Sequence, residues 1–155
     1  MKHSTLERKY KLIMEVVKVT TKDQLEDAYN IRTKVFVDEQ NVPIEEEIDQ
    51  HEEEAIHFVV YSDADKPIGA GRLRFVDGYG KVERICITKD ARGTGAGREL
   101  MEKIEETAQL NGIGKAKLNA QIQAQEFYSK LGYETISGEF LDAGIPHVTM
   151  TKSLS

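Results

Sequence analysis

Arg92-Gly93-Thr94-Gly95-Ala96-Gly97 follows a short β-patterned run, Val82 to Ile87, and opens directly into the amphipathic stretch Arg98 to Asn111. Strand, glycine turn and helix start in that order present bare backbone N–H groups and a positive helix end to an anion. Phosphates can approach such a turn to hydrogen-bond distance because no Cβ stands in the way. The chemistry implied is the holding of a phosphate-bearing cofactor. A P-loop would need Gly-Lys-Ser/Thr after the last glycine, and Arg98-Glu99 stands there instead. A dinucleotide fingerprint needs Gly-x-Gly-x-x-Gly early in a βαβ unit, whereas Gly93, Gly95 and Gly97 are spaced by two and follow antiparallel strands. Cys86 has no histidine beside it in sequence, and a central strand position suits a small buried hydrophobe better than an acyl-carrying nucleophile.

The loop needs a frame, and hydrophobic periodicity supplies it. Glu15 to Val19 reads as a first strand. Thr21 and Gln24 form a capping box for a helix over about Lys22 to Glu39, with Leu25, Ala28, Ile31 and Val35 at helical spacing. Phe58 to Tyr61 and Ile68 to Phe75 are strands separated by the turn Asp63 to Pro67, and Asp77-Gly78-Tyr79-Gly80 turns the chain again. Leu100, Met101, Ile104 and Ala108 mark the buried stripe of the helix after the glycine loop, which Asn111-Gly112 stops. Ala116, Leu118 and Ala120 alternate with polar residues in a further strand. A short helix, Ala124 to Leu131, precedes two last strands, Tyr133 to Ser137 and His147 to Lys152, with an irregular segment from Glu139 to Pro146 between them. The expectation is one mixed α/β domain over residues 14–155, preceded by an arm over residues 1–13.

Composition narrows the function classes. A chain of 155 residues, 39% hydrophobic and 31% charged, suits one globular domain. A net charge of −6 argues against nonspecific binding to nucleic acid or to an anionic membrane. A single cysteine forms no internal disulfide and no cysteine-based zinc cluster, and no metal is expected. No apolar run spans a bilayer and the first 13 residues lack a secretion signal, so a reducing cytoplasm is the expected location. From Glu45 to Glu54, seven of ten residues are acidic, which reads as a solvated loop or the exposed face of a short helix.

Arg92, Gly95 and Gly97 in an Arg-x-x-Gly-x-Gly pattern resemble motif A of the GNAT superfamily, the Gcn5-related N-acetyltransferases. Phe127-Tyr128-Ser129-Lys130-Leu131-Gly132-Tyr133 resembles the superfamily's second hallmark, a Phe-Tyr-x-x-x-Gly-Phe/Tyr helix end. Phe36-Val37 with Glu39-Gln40, Gln121 to Ala124, and Asp142 to His147 are similar to a small bacterial branch, and the likeness spans Val16 to Met150. The resemblance implies an α/β (α+β) fold with a mixed, mostly antiparallel central sheet, flanking helices, and two central strands that splay apart, Val82 to Ile87 and Ala116 to Ala120. Acetyl-coenzyme A would lie in the gap, its pantetheine pairing with the backbone of Ile85, Cys86 and Ile87. Its pyrophosphate would sit on Gly93, Thr94, Gly95, Ala96, Gly97 and Arg98, with Arg92 as a fixed charge and Asn119 beside the cofactor.

The implied activity is direct transfer of an acetyl group to a primary amine of a small molecule or protein. The amine must lose a proton, at a cost of roughly 4–5 kcal/mol at pH 7 for a reference pKa of about 10.4. The departing thiolate must gain one, and Tyr128 resembles the superfamily's general acid. Glu83 is the expected base, ahead of Glu39, Asp49, His57 and His147. Arg72, Arg74 and Arg84 could pair with the acidic run or grip an acidic acceptor. The alternative is a noncatalytic acyl-coenzyme A sensor or interaction module, and a longer acyl donor is a third reading. Dimers are common in the superfamily, which leaves a homodimer open.

Overall fold

The computed structural model describes residues 14–155, so the expected arm lies outside the described residues. Strands β1 (Met14–Lys18), β2 (Ile56–Ser62), β3 (Pro67–Val76) and β4 (Tyr79–Ile87) form an antiparallel run, turned at Asp77-Gly78 by two consecutive residues of positive φ, 53° and 81°. That pair of angles is the hairpin geometry whose twist matches the flanking strands. Helix α3 (Ala96–Leu110) then carries the chain over to β5 (Lys115–Gln121), which lies parallel to β4. β8 (Ile145–Ser153) pairs antiparallel with β5, and the short β6 (Glu134–Thr135) and β7 (Phe140–Asp142) both pair with β8. The sheet order is β1-β2-β3-β4-β5-β8-β6.

Alternation along the strands divides the core between the two faces of the sheet. On one face, Leu100, Met101 and Ile104 of α3 pack with Phe58, Leu73, Val82, Leu118 and Met150. On the other, Ala28 and Ile31 of α1 (Lys22–Arg32), with Val35 beyond it, cover Val59, Ala70 and Cys86. The capping box forms as expected, with Gln24 N–H donating to Thr21 Oγ1 and the Gln24 side chain accepting from the Thr21 N–H.

Two expectations need correction. The first helix does not run unbroken to Glu39: after Arg32 it widens into a π-helix, Thr33–Glu39, where Gln40 N–H donates to Val35 O five residues back. Such wide turns are frequent at functional sites, and this one abuts the cleft described below. The segment from Glu139 to Pro146 is not irregular. It is the β7–β8 hairpin, turned by Ala143 and Gly144 at φ 51° and 75°. Alanine rarely takes that conformation, which hides the turn in the sequence. The last helix stands where expected, as α4 (Gln125–Lys130), with a 3-10 turn at Ile122–Ala124 before it.

Candidate active site

Strands β4 and β5 separate part-way along their length. Their ladder pairs Gly80 with Ala116, Lys81 with Lys117 and Val82 with Leu118, and then stops. Beyond that point β4 stays on β3 and β5 stays on β8 as far as Gln121 opposite His147. A bulge in β4 helps to part them. Ala70 faces Cys86 and Arg72 faces Glu83, so Arg84 and Ile85 together oppose Gly71, and Arg84 takes a φ of 59°. The backbone groups of β4 that would have met β5 past Val82 are left facing a cleft. Its volume is about 1090 Å³.

The glycine loop closes one end of this cleft. Gly93 and Gly95 adopt φ of 81° and 91°, and a Cβ at either would meet no heavy atom within 4 Å. Glycine is needed there for the left-handed backbone, not to relieve crowding within the chain. Gly97 differs, because a Cβ there would come within 3.0 Å of the Phe127 ring. The loop thus sets the entry of α3 and the seat of α4 against it. Arg92 Nε donates to Ile87 O at 3.0 Å while its guanidinium forks onto Glu39, Nη1 to Oε2 at 2.7 Å and Nη2 to Oε1 at 2.9 Å. Thr94 turns its hydroxyl back to Ala91 O at 2.6 Å. Arg98 lines the cleft and makes no ion pair among the described residues.

Tyr128 comes to the same cleft from α4, buried between Phe127 and Tyr133, each ring edge-on to it. Burial, with a smaller contribution from Cys86, raises its phenol pKa and keeps it protonated. Its hydroxyl makes no hydrogen bond among the described residues. Cys86 contributes its backbone to the cleft edge, but its thiol points to Ala70 O, and burial pushes the thiol up to about 12. A thiol held protonated is a poor nucleophile.

The acidic run is only in part the solvated face that composition suggests: Glu45, Glu46, Glu53 and Glu54 are exposed, and the others are not. Glu47, on the short α2 (Ile44–Glu47), and Glu52 are buried against Arg32, whose side chain is 0% exposed. Arg32 Nε reaches Glu47 Oε1 at 2.8 Å, and Nη2 reaches Glu52 Oε2 at 2.7 Å. Arg72, equally buried, forks onto Asp49 at 2.8 and 2.7 Å. Arg84 binds Asp49 Oδ2 at 3.2 Å and the carbonyls of Glu46 and Glu47. Burial would raise the carboxyl pKa of Asp49 and Glu52, but the arginine bonds outweigh it and hold both below the ordinary range, Glu52 at about 2. Arg72, Arg74 and Arg84, the arginines that the sequence offers as partners of the acidic run, all pair with it; Arg32, one helical turn past Ala28 on the apolar stripe of α1, is the partner that the sequence reading lacks.

Glu83, the expected base, belongs to the same network. Its Oε1 lies 3.0 Å from Arg72 Nε and 2.7 Å from Arg74 Nε, and Oε2 lies 3.0 Å from Arg74 Nη2. Burial acts to raise its pKa, yet the two arginines lower it below the usual carboxylate value. A carboxylate so clamped has little proton affinity to offer. Of the other candidates, Glu39, Asp49 and His147 line the cleft. His57 instead lies buried under Tyr29, its Nε2 2.8 Å from Glu52 O. Asn119 lines the cleft with its Oδ1 accepting from Thr149 Oγ1 at 2.9 Å. Gln121 Nε2 donates to Gln40 Oε1 at 2.9 Å and so ties β5 to the end of the π-helix.

The profile of the acetyltransferase (GNAT) domain family matches residues 16–154. The chain belongs to the GNAT superfamily. It is similar to the uncharacterized N-acetyltransferase YjcF of Bacillus subtilis, 53% identical over 90% of this chain and 99% of that one. The Bacillus subtilis protein YyaT is 41% identical over 92% and 97% of the two chains. A solved acyl-CoA N-acyltransferase from Pseudomonas aeruginosa superposes with a TM-score of 0.78 at 26% identity, covering 91% of this chain and 99% of that one. The GNAT fold accounts for the parting of β4 and β5, and acyl transfer is the family's chemistry. The residues present suit an acyl-coenzyme A: an unpaired strand edge for an amide-bearing arm, a glycine-opened helix start for its phosphates, and two arginines beside that start.

Proposed function

We propose that the protein is an acetyl-coenzyme A-dependent N-acetyltransferase that moves the acetyl group directly to a primary amine of a small molecule or protein. The observation that carries this reading is the parting of β4 and β5 past Val82 and Leu118, with the glycine loop at one end of the cleft and the buried Tyr128 phenol in its wall. In this reading the backbone of Ile85, Cys86 and Ile87 binds the pantetheine amides. The loop from Gly93 to Arg98 holds the pyrophosphate, with Arg92 in support and Asn119 beside the pantetheine. Tyr128 donates a proton to the departing sulfur. Direct transfer is favoured over an acyl-enzyme because the Cys86 thiol is turned away and held protonated.

A thiol-release assay with acetyl-coenzyme A against polyamines, amino acids, amino sugars, aminoglycosides and peptide amines tests the activity. Turnover with at least one class is expected. Tyr128→Phe should slow that turnover by about 100-fold, the lower range for a general acid, while coenzyme A affinity stays within about twofold. Binding without turnover across the whole panel would support a noncatalytic sensor instead. Full activity in Tyr128→Phe would remove that residue from the chemistry.

A further inference from the structure

We propose that His147 is the general base that takes the proton from the incoming amine, a role that rests on the acetyl-transfer reading above. His147 is only 8% exposed and lines the cleft from β8. Its Nδ1 lies 2.6 Å from the carbonyl oxygen of Ile145. A carbonyl can only accept, so Nδ1 carries the hydrogen and, in the neutral ring, the lone pair sits on Nε2. Among the described residues nothing bonds to Nε2. The ring is further fixed by stacking on Phe140 of β7, with centroids 6.0 Å apart and planes 22° apart. An imidazole with its tautomer set by a backbone carbonyl and its other nitrogen unclaimed is arranged to accept a proton.

Its face of the sheet is the second argument. Asn119 pairs with Thr149 and Gln121 with His147, so these pairs alternate with the core pairs Leu118–Met150 and Ala120–Val148. Tyr128 packs in the core cluster with the latter set. His147 stands on the other face, beside Gln121 and the Gln40 to which Gln121 donates. The acid and the base therefore reach the parted strands from opposite faces, one for the sulfur and one for the nitrogen. The other candidates on the His147 side are poorer. Asp49 and Glu83 are clamped by arginines, and Glu39 by Arg92. The other charged groups lining the cleft are Glu45 to Glu47 of α2, Asp142 of β7, Lys81 and Arg84 of β4, and Arg92 and Arg98 of the glycine loop.

The step balances as follows. The ammonium gives one proton to His147 Nε2, and the freed nitrogen lone pair attacks the thioester carbonyl. As the C–S bond breaks, sulfur takes the Tyr128 proton, Tyr128 is re-protonated by the second N–H proton of the new amide nitrogen, and His147 returns its proton to solvent. One amide, one thiol and one proton result.

The test is kcat/KM for the amine against pH, from about 5.5 to 9.5, for wild type, His147→Gln and His147→Ala, with coenzyme A affinity by calorimetry alongside. Wild type should rise to a plateau as pH increases. His147→Gln should be at least about 100-fold slower near pH 7, lack that plateau, and recover steadily as the free amine grows with pH. Added imidazole should restore part of the rate of His147→Ala, and coenzyme A affinity should stay within about twofold. An unchanged pH profile in both variants would overturn the base role while leaving acetyl transfer intact, as would a uniform loss across pH without imidazole rescue. Wild type without turnover on any amine would overturn the acetyl-transfer reading itself, and the base role with it.

Discussion

Arg32 and Arg92 both grip carboxylates with a forked guanidinium, one buried under the acidic run and one beside the glycine loop. Arg32 is 0% exposed and holds Glu47 and Glu52 at 2.8 and 2.7 Å. Arg92 is 42% exposed and holds Glu39 at 2.7 Å. The contacts are alike, but the surroundings are not. A buried pair cannot exchange its partners for water, so removing one member leaves a stranded charge; an exposed pair dissolves at little cost. The first kind fixes a segment permanently, as the acidic run from Glu45 to Glu54 is fixed over the cleft. The second leaves a cation that an incoming phosphate can recruit. The glycine-loop end of this cleft is made of backbone and exchangeable charge, and the acidic run of locked side chains.

The largest effect should come from breaking the locked clamp. Arg32→Met keeps much of the side-chain volume but takes the main cation from Glu47 and Glu52, leaving them Arg84 at 3.6 Å and Arg72 at 3.0 Å, so unfolding in urea should show a loss of about 3 kcal/mol. A loss below about 1 kcal/mol would mean that the acidic run holds its place without the arginine, and the contrast with Arg92 would collapse.

Acid should probe the same clamp more gently. Glu52 has a folded-state pKa of about 2 against an ordinary value of 4.5; burial opposes this shift and the Arg32 bonds win. A carboxylate depressed in the folded state contributes stability that is fully present above its unfolded pKa and is lost as pH falls through the folded one. The stability of the wild type should therefore decline between pH 4.5 and about 2. Glu52→Gln should start less stable and decline less steeply in that window. Parallel curves for the two proteins would show that Glu52 does not carry the linkage.

The same division explains what could be read from the sequence. Gly93 and Gly95 sit in a six-residue signature because a left-handed turn before a helix is a local demand, met by neighbours in the chain. The stripe of Leu100, Met101, Ile104 and Ala108 and the capping box of Thr21 and Gln24 are local in the same sense, and the structure keeps them. The partners of Glu47 and Glu52 are 15 and 20 residues away at Arg32, and those of Asp49 are 23 and 35 residues away at Arg72 and Arg84. No spacing rule links them. Composition alone reads seven carboxylates as a solvated face, and Glu45, Glu46, Glu53 and Glu54 keep to it; the fold brings up the cations that let Glu47 and Glu52 be buried. Glu83 shows the same limit: its position beside the cleft is legible in the sequence, but the two arginines that lower its carboxyl pKa come from the neighbouring strand β3.

The smallest effect should come from Glu39, and it tests the other half of the comparison. Its carboxyl is held below its ordinary pKa chiefly by the bonds from Arg92, so it is an anion whenever a phosphate approaches. That anion competes for Arg92 and repels the ligand, while contributing little to the fold because the pair is solvated. Glu39→Gln should change stability by less than about 1 kcal/mol and tighten coenzyme A binding a few-fold at low salt, an advantage that fades as screening rises. Calorimetry at two ionic strengths would read both parts. Weaker binding in Glu39→Gln would mean that the carboxylate aims Arg92 at the loop instead of competing for it. The exposed clamp would then be a positioning device, closer in kind to Arg32 than its exposure suggests.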